Sequence, residues 1–200
     1  MVQECIVLSH KVSGKGIQVD RAKIEAIERL PPPRDIKGIR RFLGHVGFYR
    51  RFVKNFSKTA RPLTNLLQND VNFNFDEKCL TSFNLLKQAL LEGPIIKPPN
   101  CKKPFELFCE ASHEAIGAIL CQYDGDDLNI IQHASRTLNG AQKNYPMAEK
   151  EFFIVVFSCD KFRSYITDSK VRVHTDRVGL KEILERTDVK PRKIRWTLLL

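Results

Sequence analysis

Three strand-like stretches stand in series in the second half of the chain: PFELFCEAS (104–112), EAIGAILCQ (114–122) and NIIQHASRTL (129–138). Each is short and apolar, and GDD at 125–127 forms the turn between the second and third. A long helix is expected from about 147 to 166, striped by Phe152, Val155, Val156, Cys159, Phe162 and Ile166. VRVHT (171–175) then alternates like a strand, and a helix is expected near 177–186. The order is three strands, helix, strand, helix, and an α+β class is expected. PRKIRWTLLL (191–200) reads as the opening of a further helix.

The first half follows a different pattern. Residues 5–19 read as a hairpin, CIVLSHKV turning through SGKG into IQVD. Asp20 is placed to cap a short helix, and PPPR at 31–34 stops it. Asp35 caps the next, with Ile36, Ile39, Leu43 and Val46 at helical spacing and Lys37, Arg40 and Arg41 off that stripe. Phe48, Phe52 and Phe56 recur every four residues as the inward face of a further helix, with Arg50, Arg51 and Lys54 between them. A helix near 58–68 and an amphipathic one over 76–92, through Leu80, Phe83, Leu86 and Leu90, complete this half before Gly93-Pro94.

Composition narrows the function. Apolar residues make up 42% of 200, enough for a packed core. The apolar runs are short and the N-terminus lacks a secretory pattern, so an intracellular protein, cytoplasmic or nuclear and without a membrane span, is expected. Six scattered cysteines without a C-x-x-C pair read as reduced thiols. The net charge of +10 is uneven: residues 1–100 hold 17 Lys/Arg against 9 Asp/Glu, and residues 101–200 hold 16 against 14. The strip from Arg21 to Arg61 alone holds 12 Lys/Arg and 3 Asp/Glu. A polyanion partner fits this imbalance, as does a merely solvated surface. If the polyanion is nucleic acid, Arg40, Arg41, Arg50, Arg51 and Lys54 are the residues expected to grip it, and no small-molecule cofactor is expected.

Three carboxylates fall at element edges: Glu110 closing the first strand of the second half, Glu151 near the start of the long helix, and Asp176 after the fourth strand. Acids from separate elements converging at a sheet edge suit Mg²⁺ and phosphodiester hydrolysis. An acid at a helix start also serves the helix dipole, and Asp176 also suits a helix cap. Glu149 is expected to face solvent, and His113 and His174 to be hydrogen-bonded bystanders.

VSGKGIQVDRAKIEAIERLPPP, IRRFLGHVGFYRRFVKNFSKTARPL, FELFCEASHEAIGAIL, NYPMAEKEFFIVVF and HTDRVGLKEIL, in that order, resemble the Pol polyprotein of gypsy-type LTR retrotransposons, with PPPRDIKGIRRFLGHVGFYRRF and KPRKIRWTLLL similar to the plant Athila-like branch. The resemblance implies a helical reverse-transcriptase thumb remnant with the end of the palm hairpin over 1–70. It implies a connecting helix and linker over 71–100, and a C-terminally incomplete RNase H-like mixed-sheet domain over 101–200. It further implies Mg²⁺-dependent cleavage of RNA in RNA–DNA hybrids alongside RNA-directed DNA synthesis. The family's three carboxylates fall on Glu110, Glu151 and Asp176 as catalytic and metal-binding residues. The first is normally Asp in a D-A-S motif and is Glu here. The polymerase Tyr-x-Asp-Asp motif and the fourth RNase H carboxylate belong upstream and downstream of this sequence. On that basis hydrolysis is expected to be impaired or absent, leaving a nucleic-acid-binding remnant or a decayed copy as the alternative.

Overall fold

The computed structural model describes residues 4–69 and 71–175. The chain divides into two compact units, one ending at Pro98 and the other starting at Pro99.

In the first unit, β1 (Glu4–Val7), β2 (His10–Ser13) and β3 (Gly16–Val19) pair antiparallel in sequence order. The stretch expected as one strand is therefore two. Leu8 and Ser9 take positive φ, 46° and 61°, and make a tight turn inside it. β3 is also bridged to Ile96: Ile17 N–H donates to the Ile96 carbonyl at 2.8 Å and Ile96 N–H returns the bond at 2.9 Å. Gly16 makes this approach possible, because a Cβ there would collide with the Ile96 carbonyl oxygen.

The helices begin where their caps predict. Asp20 accepts from Ala22 N–H at the start of α1 (Arg21–Glu28), and Asp35 accepts from Gly38 N–H at 2.6 Å at the start of α2 (Ile36–Phe48). α3 (Phe56–Thr59) and α4 (Arg61–Asn65) are short, and α5 (Glu77–Leu91) is capped by Asp76. Ile39, Phe42, Val46, Phe52, Leu63, Phe83, Leu86 and Leu90 form the core, with the Phe42 and Phe83 rings 4.4 Å apart.

Two expected stripes are corrected. The Phe48/Phe52/Phe56 helix does not form: α2 ends at Phe48, a 3₁₀ turn spans Arg50–Phe52, and Asn55 turns left-handed at φ 53° before α3. Phe48 is 55% exposed, while Phe52 is buried. On α5, Leu80 is half-exposed and the inward face runs through Cys79, Ser82, Phe83, Leu86 and Leu90. Ser82 is accommodated because its hydroxyl donates to the Thr59 carbonyl.

The second unit comprises β4 (Phe105–Ala111), β5 (Ala115–Asp124), β6 (Asp127–Thr137), α6 (Gly140–Lys143), α7 (Met147–Lys161), α8 (Arg163–Ile166) and β7 (Val171–His174). Its four-stranded sheet has the order β6-β5-β4-β7, antiparallel except for the β4–β7 pair, which is parallel. The expected α+β class is the class observed. The expected 147–166 helix is broken at Phe162, and α6 begins with an Asn139–Gln142 capping box. Phe105, Leu107, Ile116, Leu120, Ile154 and Phe162 lie in this unit's core. The helices expected near 177–186 and over 191–200 lie outside the described residues.

Candidate functional site

Side chains alternate along β4. Phe105, Leu107 and Cys109 enter the core shared with α7, and the Cys109 sulfur lies 3.9 Å from the Ser158 hydroxyl. Glu106, Phe108 and Glu110 therefore point to the other face. Glu110 is exposed, one residue before the strand's end, and pairs with Gly117, which pairs in turn with Ser135.

Glu151 stands in the first half of α7 and is buried. Glu149 is buried as well, at 4% exposure, which corrects the expectation that it faces solvent. The next row of the sheet runs Ala111, Ile116, Arg136, and the Arg136 guanidinium sits over the Phe153 ring at 5.9 Å. The first half of α7 thus lies level with the end of β4. β7 parallels β4, with His174 beside Phe108, so both strands leave the sheet at the same side. Asp176, the third expected carboxylate, lies outside the described residues. Among the described residues no group of three or more His, Cys, Asp or Glu is placed to hold a metal ion. Glu110 and Glu151 do not by themselves make a divalent-cation site.

One carboxylate escaped the sequence reading. Glu106 is the second residue of β4, and its side chain is only 2% exposed. Arg172 Nη1 donates to its Oε1 at 2.9 Å, and His174 Nε2 lies 2.6 Å from its Oε2. The His174 ring stacks on Phe108 at 4.4 Å and 11°. Burial pushes the Glu106 carboxyl up, but hydrogen bonds from His174 and Arg172, and their charges, outweigh it and hold it below the usual carboxylate range. Its signal in the sequence was an acid flanked by the apolar Phe105 and Leu107.

The basic residues sit in the first unit. Arg40 and Arg41 are exposed on α2, opposite buried Ile39 and Phe42. Arg50 is exposed, with its guanidinium 5.8 Å from the Phe56 ring centre, and Arg51 is half-buried. Lys54 is exposed and lines a shallow groove of about 830 Å³ with Asn55, Lys58, Thr59, Lys78 and Thr81. Lys58 and Lys78 were not singled out by the sequence reading, because α3 and α5 are separated by 17 residues and only packing joins them.

Residues 75–173 match the RNase H-like domain found in reverse transcriptase. The chain is 36% identical to the retrovirus-related Pol polyprotein from transposon opus of Drosophila melanogaster, over 94% of its own length and 20% of the relative's. It is 31% identical to the corresponding polyprotein of transposon gypsy, over 92% and 19%. It is 28% identical to the transposon Tf2-3 polyprotein of Schizosaccharomyces pombe, over 96% and 15%. The chain thus spans about a fifth of the length of these relatives or less. Foamy viral protease-reverse transcriptase in complex with dsDNA shares the fold, at a TM-score of 0.83 and 19% identity over 100% of this chain and 43% of that one. The same viral enzyme in complex with an RNA/DNA hybrid gives 0.79 at 19% identity, over 97% and 27%. No helix among the described residues is long and apolar enough to cross a membrane.

Proposed function

From the premise that the chain belongs to the gypsy-type retrotransposon Pol polyproteins and carries their RNase H-like domain, we propose that it binds nucleic-acid duplex, RNA–DNA hybrid included, and cleaves the RNA strand weakly or not at all. The observation that carries the binding reading is the exposed basic surface of the first unit. Arg40 and Arg41 extend along α2, and Lys54, Lys58 and Lys78 surround one groove. Such a surface neutralises phosphates without reading bases. That the foamy viral enzyme is found with dsDNA and with RNA/DNA hybrid supports the same partner class.

The weak hydrolysis follows from Glu110. The RNase H-like family is generally dependent on divalent metal, and Glu110, Glu151 and Asp176 are the proposed carboxylates. Glu carries one methylene more than the Asp usual at the first position, so its carboxylate is displaced by more than about 1 Å. A displacement of that size costs roughly a hundredfold in rate. Mg²⁺ also tolerates distorted octahedral geometry badly. No catalytic step is assigned to the described pair. Residues 1–70 are proposed as the end of the palm hairpin with the thumb, 71–100 as the connection and 101–200 as the RNase H-like part.

The test is fluorescence anisotropy of a labelled RNA–DNA hybrid titrated with the chain at several salt concentrations. The reading expects affinity that falls steeply with salt and weakens in Arg40→Ala/Arg41→Ala. Affinity indifferent to salt would remove the basic surface from the account.

A further inference from the structure

β7 has little apolar reason to stay on the sheet. It is four residues long and outermost among the described strands. Only Val171 is half-buried against the core; Arg172, Val173 and His174 are exposed. On the β4 side, Glu106 pairs in register with Arg172 on β7 and Cys121 on β5. A carboxylate buried there is tolerated only if it is paired and hydrogen-bonded. Both its oxygens are used, one by Arg172 and one by His174. Those partners stand two residues apart on one face of β7, so a single carboxylate spans two steps of the strand. The Phe108 ring beneath His174 fixes the imidazole plane.

We propose that Glu106 is a positioning residue. Its carboxylate latches β7 onto β4 in this register and so fixes the strand through His174, where β7 ends. The latch frees one strand when it fails. β4, β5 and β6 keep their long antiparallel pairings and their own apolar core.

Hydrogen exchange on the full chain separates this role from ordinary core packing. Glu106→Gln keeps the volume and removes the charge. Amide exchange in β7 is expected to rise by about tenfold or more, the ratio supplied by losing a hydrogen bond to a charged group, with β5 and β6 unchanged. In proton NMR, the His174 Nε2–H resonance should be slowed in exchange and shifted downfield in the unmodified chain, and lost in Glu106→Gln. Arg172→Ala and His174→Gln approach the latch from its exposed side and should each raise β7 exchange even if the Glu106 variant folds poorly. Unchanged β7 exchange in all three variants, or exchange rising equally in β5 and β6, would overturn the proposal. Neither readout involves nucleic acid, so failure of the latch and failure of the binding reading are separate results.

Discussion

His174 Nε2 lies 2.6 Å from Oε2 of Glu106, which binds Arg172 through its other oxygen. The folded state therefore prefers this carboxyl ionised, and its pKa is lowered. A lowered carboxyl contributes stability above its unfolded pKa, about 4.3 for Glu, and that contribution is lost as pH falls through the folded value. Thermal melts from about pH 6 to 3 should show the unmodified chain losing stability more steeply than Glu106→Gln. Parallel acid profiles for the two would contradict the pairing.

Packing on α5 gives a second contrast. Phe83 is buried against Phe42, whereas Leu80 is half-exposed. Phe83→Ala should lower the stability of the first unit by about 3–5 kcal/mol, and Leu80→Ala by less than about 1 kcal/mol. Urea unfolding of the two variants checks the ratio, and similar losses would mean that Leu80 faces the core after all.

These contrasts show what the sequence made legible. Asp20, Asp35 and the Gly93-Pro94 stop were readable because capping is local chemistry between residues a few positions apart. The strands were readable from alternation, but their pairing was not. The Leu8-Ser9 turn carries none of the Gly or Asn residues that usually announce left-handed backbone, so two strands read as one. The four-residue spacing of Phe48, Phe52 and Phe56 suggested a helix, but α2 already ends at Phe48, and extended Val53 and left-handed Asn55 separate it from α3. Glu110, Glu151 and Asp176 were marked by family motifs. Glu106 was not, because its meaning lies in Arg172 and His174, 66 and 68 residues away, and only strand register joins them.

Five of the six thiols should react in two classes, with half-buried Cys159 between them. Cys5 and Cys101 are exposed and free. Burial pushes Cys109 and Cys121 up to about 12 and Cys79 up to about 11. Since the thiolate is the reactive form, a maleimide at pH 7 should modify Cys5 and Cys101 first and the three buried thiols only on unfolding. Mass spectrometry of digests over time reads the order; early labelling of Cys109 would contradict its burial beside Ser158.

Nucleic-acid binding should be electrostatic and indifferent to sequence. On a log–log plot, affinity should fall with salt at about 0.9 per neutralised phosphate. Arg40→Ala/Arg41→Ala should reduce that slope by about 1 to 2, and Lys58→Ala/Lys78→Ala should do likewise if the groove carries the backbone. A variant that loses affinity at an unchanged slope would show that the contact is not to phosphate.

On the proposed function, this chain holds a hybrid without cleaving it efficiently, with Glu110 proposed to stand where the family has the shorter Asp. The most direct measurement is Mg²⁺-dependent cleavage of an end-labelled RNA–DNA hybrid, at protein concentrations where anisotropy shows the hybrid bound. The account predicts bound hybrid with little or no RNA cleavage. Robust cleavage by the unmodified chain, abolished by Asp176→Asn, would show that Glu110 is compatible with a working site and contradict it.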